Sequence, residues 1–189
     1  MGRTAEVPAD AEPQTLSEIM EWHRDLRDAL LLRRATIRDA IFQSSHVPER
    51  FSGMTEEDVE AWFHACRREL DRLTVLNLVA SSEASLKIDF FRRVHEKRKD
   101  PLAQIYRAWF KSLSRKKKQR PDFDEGGILD HLKRSKAVDP NIVGAFRECL
   151  RVRHWVGHGR YWSKPSEIDR FSPEEVFIRG QALLSALPA

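Results

Sequence analysis

Five helix-start signals divide this chain, and each is followed by apolar residues recurring at helical rather than strand period, so most of its length is committed to α-helix. Thr15 stands three residues before Glu18, the spacing of a capping box in which a hydroxyl and an acid satisfy each other's backbone N–H groups. Leu16, Ile19, Met20, Leu26, Leu30, Ile37 and Ile41 follow, and the helix is expected to end by Ser44 or Ser45. Thr55 precedes Glu56, Glu57 and Asp58, whose charges suit the positive end of a helix dipole, and Trp62, Phe63, Cys66, Leu70 and Leu73 form the inner face of that second helix. Over residues 75–94 the pattern continues through Leu78, Val79, Leu86, Phe90 and Phe91. Ser81 and Ser82 mark a place to bend, but no Gly or Pro forces a stop, which favours one long helix over two.

Asp100-Pro101 and Asp139-Pro140 each pair an N-cap with a proline at the first helical position. The first opens a stripe of Leu102, Ile105, Tyr106, Trp109, Phe110 and Leu113; the second opens Ile142, Val143, Phe146, Cys149 and Leu150, running to Arg153 before Gly157 and Gly159 weaken the helix. Between them, Arg115, Lys116, Lys117, Lys118 and Arg120 precede Pro121 and Gly126-Gly127, which predicts an exposed basic loop ahead of a short helix around Ile128, Leu129 and Leu132. Ser172-Pro173-Glu174-Glu175 opens the last helix through Val176, Ile178, Leu183, Leu184 and Leu187. No strand, repeat or heptad competes, so the expected class is an all-α bundle.

A length of 189 residues with 41% hydrophobic content is enough for one domain with its own core, placed at residues 15–189. Residues 1–14, with two prolines and no apolar period, read as a loose tail. That tail has no signal-peptide core, and no apolar run approaches the roughly 20 residues a membrane span needs, so a cytoplasmic protein without membrane attachment is expected. Cys66 and Cys149 sit within helical apolar patterns and read as reduced core thiols, with no pattern for structural zinc.

The formal net charge of +4 suits a nucleic-acid partner without establishing one. Chemistry is concentrated in Arg151, Arg153, His154, His158, Arg160, Tyr161 and Trp162. A guanidinium offers a fixed planar fork to phosphate oxygens and an imidazole exchanges protons near neutral pH, so the combination can bind a phosphodiester and move protons around it. Arg153 and His158 lie about 140° apart on an ideal helix. Both therefore reach one phosphate only if the backbone leaves the helix, which Gly157 and Gly159 permit, or if two chains converge.

Arg153-His154-x-x-x-His158, followed by Gly159, resembles the signature of HEPN domains, an arginine and a histidine separated by four to six residues with a polar residue commonly after the arginine. The Ser-Pro-Glu-Glu-Val helix start resembles the last segment of stand-alone HEPN proteins. In architecture the resemblance covers about residues 55–187, but in residue identity only 153–159, leaving the first helix as an elaboration. It implies a metal-independent endoribonuclease of the kind found in toxin–antitoxin, phage-defence or RNA-processing systems. Two copies would pair as a homodimer with both motifs in one cleft. No cofactor is expected, and an antitoxin or other regulatory protein is an expected partner beside RNA.

On this reading Arg153, His158 and His154 form the catalytic set: the RNA 2′-hydroxyl attacks phosphorus, His158 shuttles protons and Arg153 stabilises the charged phosphate. Glu83 and Asp89 are candidate supports that orient a catalytic side chain, or else ordinary surface acids paired with Lys and Arg. Arg115, Lys116, Lys117, Lys118, Arg120, Arg151, Arg160 and Tyr161 are candidate RNA contacts. Trp155, Tyr161 and Trp162 either stack on bases or belong to a core or interface. His154 and His158 share the i,i+4 spacing of metal sites, but no further ligand completes a set. The remaining histidines, His23, His46, His64, His95 and His131, carry no pattern of ligands or triads. The alternatives are a non-catalytic RNA- or nucleotide-binding module and a helical protein-interaction domain.

Overall fold

A computed structural model describes residues 14–96, 98–159 and 170–188, and these residues form seven α-helices and no strand. Helix α1 spans Leu16–Phe42, a single 3₁₀ turn Glu49–Phe51 follows, and α2 runs unbroken over Glu56–His95. Then come α3 (Pro101–Ser112), α4 (Arg115–Gln119), α5 (Ile128–Ser135), α6 (Pro140–Gly157) and α7 (Pro173–Ser185). No helix among the described residues is long and apolar enough to cross a membrane.

The starts are set locally. Thr15 Oγ1 accepts from Glu18 N at 3.2 Å while Glu18 Oε2 accepts from Thr15 N at 2.7 Å, and Thr55 and Asp58 repeat the reciprocal pair. Asp100, Asp139 and Ser172 each cap the helix whose first residue is the following proline. Helix α2 stays continuous through Ser81 and Ser82 because neither hydroxyl opens the ladder: Ser82 Oγ donates back to Leu78 O at 2.9 Å, and Ser81 Oγ donates to Gln14 O. That last bond anchors Gln14, the end of the segment read as a tail; the rest of that segment lies outside the described residues.

At 40 residues, α2 is about 60 Å long, and every other helix of the main core is organised around it. The core joins Leu78, Leu86 and Phe90 of α2 to Leu102 and Tyr106 of α3, Leu129 and Leu132 of α5, Phe146 and Leu150 of α6, and Val176 and Leu183 of α7. Phe90 is fully buried and meets Phe91, Tyr106, Trp109 and Phe110 edge-on at centroid distances of 4.9–6.0 Å. A second, smaller core of Ile37, Phe51, Val59 and Phe63 closes the other end of the α1–α2 hairpin. Gly180 lets α7 settle onto α1 and α2, since a Cβ there would stand 2.7 Å from Ser82 Oγ and 3.2 Å from Leu16 Cδ1.

The basic segment departs from expectation. Rather than a loop, residues 115–119 form α4, with Ser114 Oγ accepting from Lys117 N at 3.4 Å. Lys and Arg are good helix formers, and a capped turn of them stands even when solvent surrounds it. The turn that follows needs Gly127, whose Cβ would collide with the Asp122 carbonyl at 2.2 Å. Cys66 is half-buried and Cys149 buried, and both are free thiols; burial pushes the Cys149 thiol up to about 11.

Candidate active site

Helix α6 carries the motif, held by a buried stripe that includes Val143, Phe146, Cys149, Leu150, Val152 and Val156. Arg147 Nη2 donates to Asp130 Oδ1 at 2.6 Å and fixes α6 against α5. The helix persists through Gly157, so the chain does not leave it between Arg153 and His158 as the glycines allowed. His158 is the C-cap, with its N–H donating to His154 O at 3.1 Å, and the departure comes one residue later, where Gly159 takes φ +79°.

That geometry separates the two halves of the motif. Arg153 turns toward α2, where Nη2 stands 3.3 Å from Glu83 Oε2; its side chain keeps 34% of its surface exposed. Glu83 is nearly buried and lies between two cations, because its other oxygen accepts from Lys87 Nζ at 2.5 Å. A carboxylate so placed orients the guanidinium without covering it. His154 and His158 face outward, their rings parallel with centroids 5.9 Å apart and planes 4° apart. Arg151 is exposed on the same stripe, since the i,i+7 spacing to His158 brings the two within about 20° on an ideal helix. A guanidinium backed by a carboxylate, two solvent-facing imidazoles and a second exposed guanidinium therefore surround the C-terminal turns of α6.

Other sequence-level candidates fall elsewhere. Asp89 does not reach the motif: Oδ2 accepts from Arg93 Nε at 2.7 Å, and Arg93, 1% exposed, also donates to Asp100 Oδ1 at 3.0 Å and to the Pro188 carbonyl. Asp89 is thus a structural partner in the junction of α2, α3 and the last described residues. Trp155 is buried in the core with the Arg72 guanidinium 5.7 Å from its ring centre, a position that excludes base stacking by that ring. Arg160, Tyr161 and Trp162 lie outside the described residues. Arg115, Lys116, Lys117 and Arg120 are exposed and Lys118 half-buried over the Phe110 ring; Lys117 pairs with Asp122. Among the described residues no group of three or more His, Cys, Asp or Glu side chains is placed to hold a metal ion.

Two features escaped the sequence. His23, assigned no chemistry, is buried on α1, with Nε2 2.8 Å from Asp71 Oδ1. Between α1, α2 and the start of α7 lies a cleft of about 340 Å³ that gathers Arg27, Arg67, Arg68, Arg72 and Arg170. The adjacent arginines at 67 and 68, with a third one turn on, were its one visible signal. Comparison of the chain with protein-family models, curated proteins and solved structures returns no match.

Proposed function

We propose that this protein is a metal-independent endoribonuclease of the HEPN type. The observation that carries the reading is the arrangement at the end of α6: Arg153 is oriented by Glu83 yet open to solvent, beside the exposed, parallel imidazoles of His154 and His158. The reaction needs a base to take the 2′-hydroxyl proton, an acid to protonate the departing 5′-oxygen, and a fixed positive charge for the phosphorane. His158 takes and returns the proton, His154 stands beside it as the second imidazole, and Arg153 neutralises the phosphate oxygens. Glu83 acts through Arg153 as a positioning residue.

Within one chain Arg153 faces α2 while the imidazoles face outward, so a symmetric pair of chains joined across this face would bring the arginine of one motif toward the histidines of the other. The homodimer belongs to the proposal for that reason. A role as a toxin or phage-defence effector held in check by an antitoxin rests on the family resemblance alone.

The test incubates purified protein with mixed cellular RNA in EDTA and maps the new ends. The reading expects 2′,3′-cyclic phosphate and 5′-hydroxyl termini, and a dimer in light scattering. Cleavage that requires a divalent cation and leaves 5′-phosphates would overturn it. Binding without cleavage across varied RNAs would favour the non-catalytic module.

A further inference from the structure

We propose that the arginine-lined cleft between α1, α2 and the start of α7 holds successive phosphodiester groups of a single RNA strand and leads that strand to the imidazoles of α6. The inference rests on the RNA reading for the identity of the strand, but its test measures binding alone.

Among the described residues five guanidinium groups face two carboxylates across this cleft, and both acids are already engaged. Asp71 is held by the buried His23 at 2.8 Å, and Glu174 stands 4.0 Å from Arg27. Arg67 and Arg68 have no ion pair among the described residues. Arg72 has structural partners in Glu69 at 3.9 Å and the Trp155 ring at 5.7 Å, but Arg68 stands i,i+4 from it on α2, a like-charge spacing that costs a helix stability, so the fold does not explain Arg67 and Arg68. Among the described residues every fixed cation lining the cleft is arginine and none is lysine, the choice that suits bidentate contact with phosphate. Val75, Val152, Phe171 and Pro173 supply apolar walls, against which a charge pair is less screened than in open water.

The cleft also points somewhere. A second cavity of about 330 Å³ shares Arg170 and Phe171 with the first and adds Arg151, together with Arg179 and the two acids it holds, Glu148 at 2.7 Å and Glu175 at 2.6 Å. Arg151 belongs to the same exposed stripe of α6 as His154 and His158. With Arg179 satisfied by its two acids, Arg170 and Arg151 are the cations that carry the line from Arg67 and Arg68 toward the imidazoles, a path for a backbone rather than a pocket for one small anion.

The experiment uses full-length His158→Ala protein in EDTA, so that bound RNA stays intact, and follows a short fluorescein-labelled single-stranded RNA by anisotropy over a range of KCl. Arg67→Gln with Arg68→Gln is compared with Lys133→Gln and Arg134→Gln, which removes the same charge from α5, a helix that lines neither cavity. The cleft pair is expected to lose about tenfold or more in affinity at low salt and to flatten the log–log salt slope by about 1.4, roughly 0.7 for each lost phosphate contact. Thermal melts of the two variants should coincide, since none of the four side chains is buried. A cleft variant that matches the α5 variant in both affinity and slope overturns the inference. So does tripolyphosphate or ATP that binds the parent protein more tightly than RNA and loses that affinity in the cleft variant, which would assign the cleft to small polyphosphates. RNA bound through the cleft but never cut by the wild-type protein would leave this inference standing and remove the nuclease reading.

Discussion

Arg93 and Arg153 each reach a carboxylate on α2, yet their surroundings differ completely. Arg93 is sealed at 1% exposure and bonded to Asp89, Asp100 and the Pro188 carbonyl, whereas Arg153 keeps a third of its side chain in solvent and, among the described residues, pairs with Glu83 at 3.3 Å. Burial by itself would push the Arg93 guanidinium down; Asp89 and Asp100 outweigh it and keep the charge in place. A buried cation with all three nitrogens bonded inward joins three segments and is sealed from a substrate. A half-open cation with one partner is oriented and still free to bind, and this contrast separates scaffold from candidate site in a molecule rich in arginine.

Breaking the contrast at its buried end should give the largest effect. Arg93→Ala removes the buried cation between the half-buried Asp89 and Asp100 and empties its site, and is expected to cost about 3–5 kcal/mol of stability, measured by urea denaturation. Arg153→Ala should cost under about 1 kcal/mol because the arginine is partly exposed and Glu83 keeps its bond to Lys87, while lowering the RNA cleavage rate by about 10²–10³. Arg153→Lys should recover only part of that rate, since an ammonium lacks the planar fork. Equal stability losses at the two arginines would erase the distinction.

Their carboxylate partners sharpen it. Asp89→Asn should lose about 1–3 kcal/mol of stability and leave cleavage per folded molecule unchanged. Glu83→Gln should behave in the opposite sense: stability within about 1 kcal/mol of wild type, kcat lower by about tenfold, KM little changed, and partial rescue by Glu83→Asp. The smallest effect concerns the joint between α5 and α6. The Gly126 N–H bond holds the Asp130 carboxyl below its usual range, helped by Arg147 against the opposing effect of burial. A depressed carboxylate contributes its stability above the unfolded value and loses it as pH falls through the folded one. Replacing Asp130 with Asn should therefore cost about 1 kcal/mol at neutral pH, with the gap to wild type closing as the medium is acidified below the ordinary carboxylate range.

How much of this was legible in the chain depended on distance along it. Thr15 with Glu18, Asp100 with Pro101 and Ser172 with Pro173 act within one helical turn, so their helices began where the residues said. The Asp89–Arg93 pair was equally local, an i,i+4 spacing on one helix, and would have identified Asp89 as structural. Over residues 115–119 the loop signals of Pro121 and the glycines compete with a single hydroxyl, Ser114, and the cap prevails in the fold. Glu83 could be suspected but not matched to Arg153, 70 residues away, because that pairing exists only once α6 crosses α2. The arginine cleft was hidden for the same reason: α1, the middle of α2 and residues 170–174 meet only in the folded bundle.

The proposed role of the end of α6 is phosphodiester chemistry performed with side chains alone. The most direct measurement is the single-turnover cleavage rate of a defined RNA in EDTA for wild-type and His158→Ala protein, with matched circular dichroism and melting curves. His158 is exposed at a helix C-cap rather than in the core, so the variant should fold as the wild type does. Wild-type protein should cleave the RNA, and His158→Ala should show no cleavage above background. Equal rates in the two proteins would contradict the proposed role and place the chemistry at another site.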